Sequence, residues 1–254
     1  MPKSIADKSK VTCWLMKKKW KLSTVVLKIH CDGEIMSSIT GSTTHFSVRK
    51  WGEVSVARLI ICKIPDSDHV AEIHKAAKYL EDRTCLKFVY YDQPGQVQDY
   101  IYVHGDSVGC AALVGRRGGP QRVRLQPHAV GTGCFRFGTV LHEFVHALGF
   151  HHMQNVYDRD NSIRINWENV RPDRISSFDT RPSTQVSHFS VPYDVGSVMH
   201  YSETTSSANG LPTMTALFNP NNRSMGQRVE ATREDLLRIN RMYGCPLFPH
   251  NTEA

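Results

Sequence analysis

Five residues within one short stretch carry the chemistry of this chain: His142, Glu143, His146, Gly149 and His152. On a helix, His142 and His146 stand slightly more than one turn apart and project from the same face, so two imidazoles reach one cation. Gly149 lets the backbone leave that helix sharply, and a histidine three residues later then approaches the cation from another side. His152 fits this role by spacing, whereas His151 stands one residue early and reads as a wall or surface histidine. Three neutral imidazoles leave the ion its full double charge and one open position for water. That is the arrangement of a catalytic zinc, because structural zinc sites are closed by four protein ligands, often cysteine. The nearest cysteine, Cys134, lies well outside the cluster. The five fixed positions would meet by accident with a probability on the order of 1 in 10,000, so chance is a poor explanation.

Glu143, beside the first histidine, is placed to reach a metal-bound water rather than the metal. Zinc lowers the pKa of such a water to roughly 7, and a nearby carboxylate accepts its proton and passes it to a leaving amine. Peptide hydrolysis needs both steps, so the expected partners are protein or peptide substrates.

The elements that must position these groups follow from periodicity. A helix is predicted over Thr139 to Leu148, ended by Gly149 in a left-handed conformation. Upstream, Val54 to Ile64 is β-rich. Asp66 to Asp68 then offer an N-cap to a helix carrying Val70, Ile73, Ala77 and Leu80, which stops near Thr84. Leu86 to Tyr91 and Tyr100 to His104 read as strands separated by the turn signal Asp92 to Gly95, and Val123 to Gln126 as another. Five prolines between Arg171 and Asn222 break every candidate element there. A last helix is announced by Thr232 with Asp235 three residues on, close to a capping box, and is closed by Gly244.

Composition bounds the rest. The chain has 254 residues with 40% apolar content, enough for a sizeable core, and no apolar run approaches the roughly 20 residues of a membrane-spanning helix. The net charge of +7 comes from scattered basic residues, clustered only at Lys17 to Lys21, which reads as a solvated basic face rather than a nucleic-acid site. Residues 1–45 are basic, rich in Ser and Thr and without periodicity, so they are expected to be an N-terminal extension or prosegment. They contain no clean targeting segment: Leu22 to Ile29 is short and interrupted by Lys28. The globular part is expected over residues 46–247, with 248–254 a short tail.

The signature H-E-x-x-H-x-x-G-x-x-H is that of the metzincin zinc proteases. The rest of the chain resembles the astacin family in particular. Asp158, Arg159 and Asp160, then Ile165, Asn166, Trp167, Asn169 and Val170, match its D-R-D and I-x-W-x-N-V segments, and Ser197 to Tyr201 matches its Met-turn S-V-M-H-Y. Gly115, Arg116, Gly118, Gly119 and Gln121 match further, as do Gly226 to Arg228 and Tyr243 to Cys245.

The resemblance implies an α+β, metzincin-type fold of two lobes around a cleft: a twisted mixed sheet with two helices, and an irregular lower lobe with one long helix. It implies one Zn2+ on His142, His146 and His152, with Tyr201 as an added ligand that swings away to stabilise the oxyanion. Met199 becomes a structural pad beneath the histidines. It also implies disulfides Cys85–Cys245 and Cys110–Cys134, and with them a secreted protein. Cys13, Cys31 and Cys62 are left over, and Cys62, in an apolar strand, reads as a buried thiol.

The family's inhibitory prosegment carries an F-x-G-D motif. Cys31, Asp32, Gly33 and Glu34 form the nearest stretch here, which points to self-inhibition through that segment. Departures from the pattern are Met153 and Val156, where the family usually has Glu and Arg, and Ala111, where an aromatic residue is common. The family's glutamate holds the ammonium of the trimmed N-terminus, and a methionine does not. The trimmed end, expected between Ile39 and Lys50, is therefore not locked by position 153 unless another acid such as Asp158 takes over. These departures leave a second reading, a weak or inactive binding protein on a metzincin scaffold.

Overall fold

The computed structural model describes residues 56–64, 66–91, 97–219 and 222–246. The upper half is a five-stranded sheet backed by two helices. Strand β1 (Val56–Cys62) is followed by helix α1 (Ser67–Arg83), then β2 (Lys87–Tyr90), β3 (Tyr100–His104), β4 (Cys110–Ala112) and β5 (Pro120–Leu125). The strand order is β2-β1-β3-β5-β4, with all neighbours parallel except the edge pair β4–β5, which is antiparallel. Helix α1 starts where Asp66 Oδ1 accepts from the backbone N–H groups of Asp68 and His69, both at 3.0 Å. It buries Ile73, Ala76, Ala77 and Leu80 and ends at Thr84, which returns to extended backbone. Helix α2 (Phe137–Ala147) is buried along nearly its whole length.

The core lies between these helices and one face of the sheet. Ala57, Leu59 and Ile61 of β1, Ile101 and Val103 of β3, and Val123 and Leu125 of β5 pack there against Leu80, Leu141 and Phe144. Two disulfides brace this half: Cys110–Cys134 ties β4 to the turn before α2, and Cys85–Cys245 ties the segment after α1 to the last helix.

The lower half is mostly irregular. Short 3-10 turns lead to a two-stranded antiparallel ribbon, β6 (Ile163–Ile165) with β7 (Met214–Ala216), and to helix α3 (Arg233–Tyr243). A small core of Ile163, Val170, Phe178, Val195 and Met214 lies beneath. Side chains substitute for missing ladders: Asn155 Nδ2 donates to the carbonyls of Ser177 (3.0 Å) and Asp179 (2.8 Å), and Arg159 Nη1 to those of Gln154 (2.8 Å) and Phe178 (2.7 Å).

Sequence and structure differ in a few places. Strand β5 begins three residues before Val123, at Pro120, which as the first strand residue needs no N–H for the ladder. Helix α2 begins two residues before Thr139. Strands β4, β6 and β7 escape a periodicity reading because three residues give no alternation to detect. The turn at residues 92–95, the expected prosegment with Cys13 and Cys31, the trimmed end between Ile39 and Lys50, and the side chain of Cys62 lie outside the described residues.

Candidate metal centre

Helix α2 delivers three of the predicted site residues. His142, Glu143 and His146 are all buried, at 6%, 4% and 6% exposure. Their helix approaches the lower half closely: a Cβ on Gly138 would stand 2.1 Å from the Arg228 carbonyl, so only glycine fits there. Gly149 then takes a φ of +118°, a conformation that side chains resist, and turns the chain so that His152 faces back. The ring nitrogens of His142, His146 and His152 lie within 4.8 Å of one another. His151 is not part of this group, and its ring borders a separate cavity.

The imidazoles are oriented from behind. His142 Nδ1 donates to the Val198 carbonyl at 2.8 Å, and His146 Nδ1 to the Phe150 carbonyl at 2.7 Å. Each bond fixes a tautomer and leaves the Nε2 lone pair for a metal. The Nε2 atoms of His146 and His152 stand 3.1 Å apart, near the roughly 3.4 Å that two ligands of a tetrahedral zinc with bonds of about 2.0–2.1 Å would show. Burial holds all three rings neutral: it pushes His142 well below the ordinary histidine value, His146 down to about 4 and His152 to about 2.

Glu143 stands among them with its Oε2 buried and without a hydrogen-bond partner. Desolvation lifts its pKa to about 7, against the opposing pull of the positive charges on Arg228 and Arg124. Tyr201 closes the lower side, its ring 4.5 Å from that of His152 and its N–H donating to Gln154 Oε1 at 3.2 Å. Burial raises the Tyr201 phenol above its ordinary value, so it stays protonated near neutrality.

The supporting groups come from distant parts of the chain. Asp235, at the start of α3, accepts from Ser197 Oγ (2.5 Å) and Val198 N (2.8 Å), and so holds the segment whose carbonyl orients His142. Arg228 Nη1 donates to the carbonyls of His200 (3.1 Å) and Gln227 (2.7 Å) and brings a cation beside Glu143. Spacing along the chain does not assign these roles. The matches of Ser197 to Tyr201 and of Gly226 to Arg228 to family patterns are the sequence signals that point there.

Met199 is buried, and its carbonyl accepts from Met153 N at 2.9 Å. Met199 and Met153 line a cavity of about 270 Å³ behind the triad. The acid that reaches this cavity is neither residue 153 nor Asp158, which instead accepts from His188 Nε2 at 2.7 Å. It is Asp235, already engaged by Ser197, Val198 and Thr232.

Comparison with known proteins agrees with this geometry. The family model described as Astacin, a peptidase family, matches residues 43–244. Zinc metalloproteinase nas-13 of Caenorhabditis elegans is 38% identical over 185 residues, 72% of this chain and 39% of that protein. Zinc metalloproteinase nas-4 of the same worm is also 38% identical, over 68% of this chain and 53% of its own length, so the chain spans about two fifths to one half of these relatives. The solved structure of high choriolytic enzyme 1, a hatching enzyme zinc-protease from Oryzias latipes, superposes with a TM-score of 0.69 at 32% identity. It covers 81% of this chain and all of that one. Among the described residues no helix is long and apolar enough to cross a membrane, and the two disulfides suit an oxidising compartment. With the histidine triad, the mixed sheet and a match spanning most of its length, the chain belongs to the astacin family.

Proposed function

We propose that this chain is a secreted zinc-dependent endopeptidase in which His142, His146 and His152 hold the ion, Glu143 moves the proton and Tyr201 donates to the oxyanion. The observation that carries the reading is the buried, unpartnered Oε2 of Glu143 beside three imidazoles held neutral. The donor set fits the metal: three imidazoles, two of them fixed by backbone carbonyls, with no fourth His, Cys, Asp or Glu in the group among the described residues to close the site. A zinc ion there supplies Lewis acidity, polarising a peptide carbonyl and bringing the pKa of water to about 7.

The side chains do the rest. A carboxylate with a pKa of about 7 takes a proton from the attacking water at neutral pH and returns it to the leaving amine. The protonated Tyr201 phenol offers a donor to charge developing on the carbonyl oxygen. Strand β4 supports a peptide as substrate. Among the described residues it pairs only with β5, and the segment that follows it is bonded to the catalytic helix, Gly115 N to the His146 carbonyl at 3.0 Å. An extended chain added to the open edge of β4 would run beside the histidines.

Zinc content measured together with casein digestion tests the reading. One zinc per chain, cleavage, and its loss in Glu143→Gln are expected; a zinc-loaded protein that cleaves nothing favours the binding-protein alternative. Residues 1–45 are assigned as an inhibitory prosegment acting through Cys31 to Glu34. Neutralising Asp32 and Glu34 in the full chain should then raise activity, and unchanged activity would remove that assignment.

A further inference from the structure

We propose that Asn222, on a clamped surface loop between β7 and α3, is a site of N-linked glycosylation whose sugar shields Leu217 and Phe218. The proposal rests on the secreted reading, because this modification belongs to chains that enter the oxidising secretory route. The acceptor pattern is Asn-x-Ser or Asn-x-Thr with x other than proline. Asn222, Arg223 and Ser224 match it, and no other asparagine of the chain does.

The fold presents this triplet in the way the modification needs. After β7, Leu217 N donates to the Ser162 carbonyl at 2.9 Å, and Asn219 then closes the loop on itself. Its Nδ2 donates to the Arg223 carbonyl at 2.8 Å and its Oδ1 accepts from Arg223 N at 2.9 Å, while Asn222 N donates to the Asn219 carbonyl at 3.1 Å. The middle residue is anchored inward. Arg223 Nη1 donates to Asp194 Oδ1 at 3.0 Å and to Glu234 Oε2 at 2.8 Å, and its stem lies 2.8 Å from where a Cβ on Gly196 would be. The residues on either side, Asn222 and Ser224, are both exposed. Asn222 holds a φ of +46°, a left-handed conformation that asparagine tolerates better than most residues.

In the reaction the Asn222 amide nitrogen attacks the anomeric carbon of a lipid-pyrophosphate-linked oligosaccharide. A C–N bond forms as the bond from that carbon to the pyrophosphate oxygen breaks, and the amide gives up one proton to balance the departing anion. Leu217 and Phe218, just before the loop, are 55% and 73% exposed. Two adjacent apolar side chains in water invite association, and the Asn222 to Asn219 bond turns the acceptor back toward them. A sugar there is bulky and solubilising, and covers that spot.

The test expresses the full chain behind a cleavable secretion leader in animal cells and treats medium and cell extract with peptide N-glycosidase. The wild type should drop in mass on digestion, with aspartate left at position 222 in the peptide spectrum. Asn222→Gln and Ser224→Ala should lose the drop, and Ser224→Thr should keep it. Ser224→Ala leaves the backbone at Asn222 as it is, so its result does not depend on a glutamine tolerating the left-handed conformation. The digested wild type should precipitate at a lower concentration than the undigested one, and Phe218→Ser should narrow that gap. A wild type that digestion does not alter, or a drop that survives in Ser224→Ala, overturns the site, and a gap untouched by Phe218→Ser overturns the shielding. Unglycosylated chain released to the medium with both disulfides formed would leave the secreted reading standing, whereas glycosylated chain held wholly inside the cells would count against that reading and keep the site.

Discussion

Leu80 and Asp235 are both buried, one in each half of the molecule, yet they are held by opposite kinds of neighbour. Leu80 is fully enclosed by carbon from the sheet and helices, and its side chain carries no polar contact. Asp235 is 4% exposed and accepts three hydrogen bonds, from Ser197, Val198 and Thr232, with Arg238 at 3.6 Å. The upper half thus gains its stability from apolar burial, which is non-directional and tolerates small shifts. The lower half, broken by prolines, fixes its backbone with directional bonds from single side chains, and each such bond also sets the position of something else. The metal centre sits where the two meet, with its ligand helix above and its orienting carbonyl at Val198 below.

The largest effect is expected where the halves meet. Glu143→Gln should lower kcat/KM by about 100- to 10,000-fold. The variant should unfold no earlier than the wild type, because the carboxylate has an unpartnered oxygen in the folded state and an amide is the cheaper group to bury. Casein or peptide turnover set beside a melting curve reads both quantities. A loss of activity that merely follows a loss of folded protein would assign Glu143 to packing instead.

Two variants of similar cost set the halves apart. Leu80→Ala should destabilise by about 2–5 kcal/mol through a cavity in the upper core, leaving zinc affinity unchanged. Asp235→Ala should cost about 3–5 kcal/mol, because Arg238 is left buried without its partner. It should also weaken zinc binding by about 10- to 100-fold, because Val198 loses the acceptor that holds it beneath His142. Denaturant titration and competition with a chelating dye separate the two quantities. Equal zinc affinity in both variants would break the idea that the lower half transmits position to the site.

How far the sequence discloses this molecule depends on the same contrast. Helices α1 and α3 and strand β3 are legible because their signals are local. Asp66 caps α1, Thr232 and Asp235 form the capping box of α3, and Gly244 leaves α3 in a left-handed conformation. The histidine triad is legible for the same reason, being written at fixed spacing across a helix and a turn. The groups that orient it are not. Val198 lies 56 residues from His142 and Asp235 a further 37 from Val198, and no local pattern couples them. The short strands β4, β6 and β7 exist because partners hold them, so their own three residues do not announce them.

A smaller effect separates the two halves at their helix starts. Thr232→Ala removes the acceptor for Asp235 N, at 3.1 Å, and the donor to Asp194 Oδ2, at 2.7 Å, and should cost about 1 kcal/mol in urea titrations. Zinc affinity should follow in the direction expected for Asp235→Ala but more weakly, since the Asp235 carboxylate stays in place. An unchanged affinity in Thr232→Ala would mean that the cap serves α3 alone.

The smallest effect is expected at the corresponding cap in the upper half, where charge rather than geometry is the variable. Asp66 is exposed, and its carboxylate accepts from His69 Nδ1 at 2.7 Å as well as from the backbone of Asp68 and His69. The His69 side chain, followed by these backbone bonds, holds the Asp66 pKa below its ordinary value. A carboxylate whose pKa is lower in the folded chain binds a proton more readily once unfolded. Its stabilisation is therefore present above the ordinary aspartate value of about 3.9 and is lost as pH falls through the lower folded value. Asp66→Asn keeps the capping oxygen and removes only the charge. The wild type should then exceed the variant slightly in urea midpoint at pH 6, and the gap should close as the pH approaches 3. Metal-free protein is the sample to use, so that protons competing with zinc for the imidazoles do not enter the result. A gap that stays constant with pH would show that α1 is capped by geometry alone, and one that widens on acidification would reverse the assigned direction of the shift.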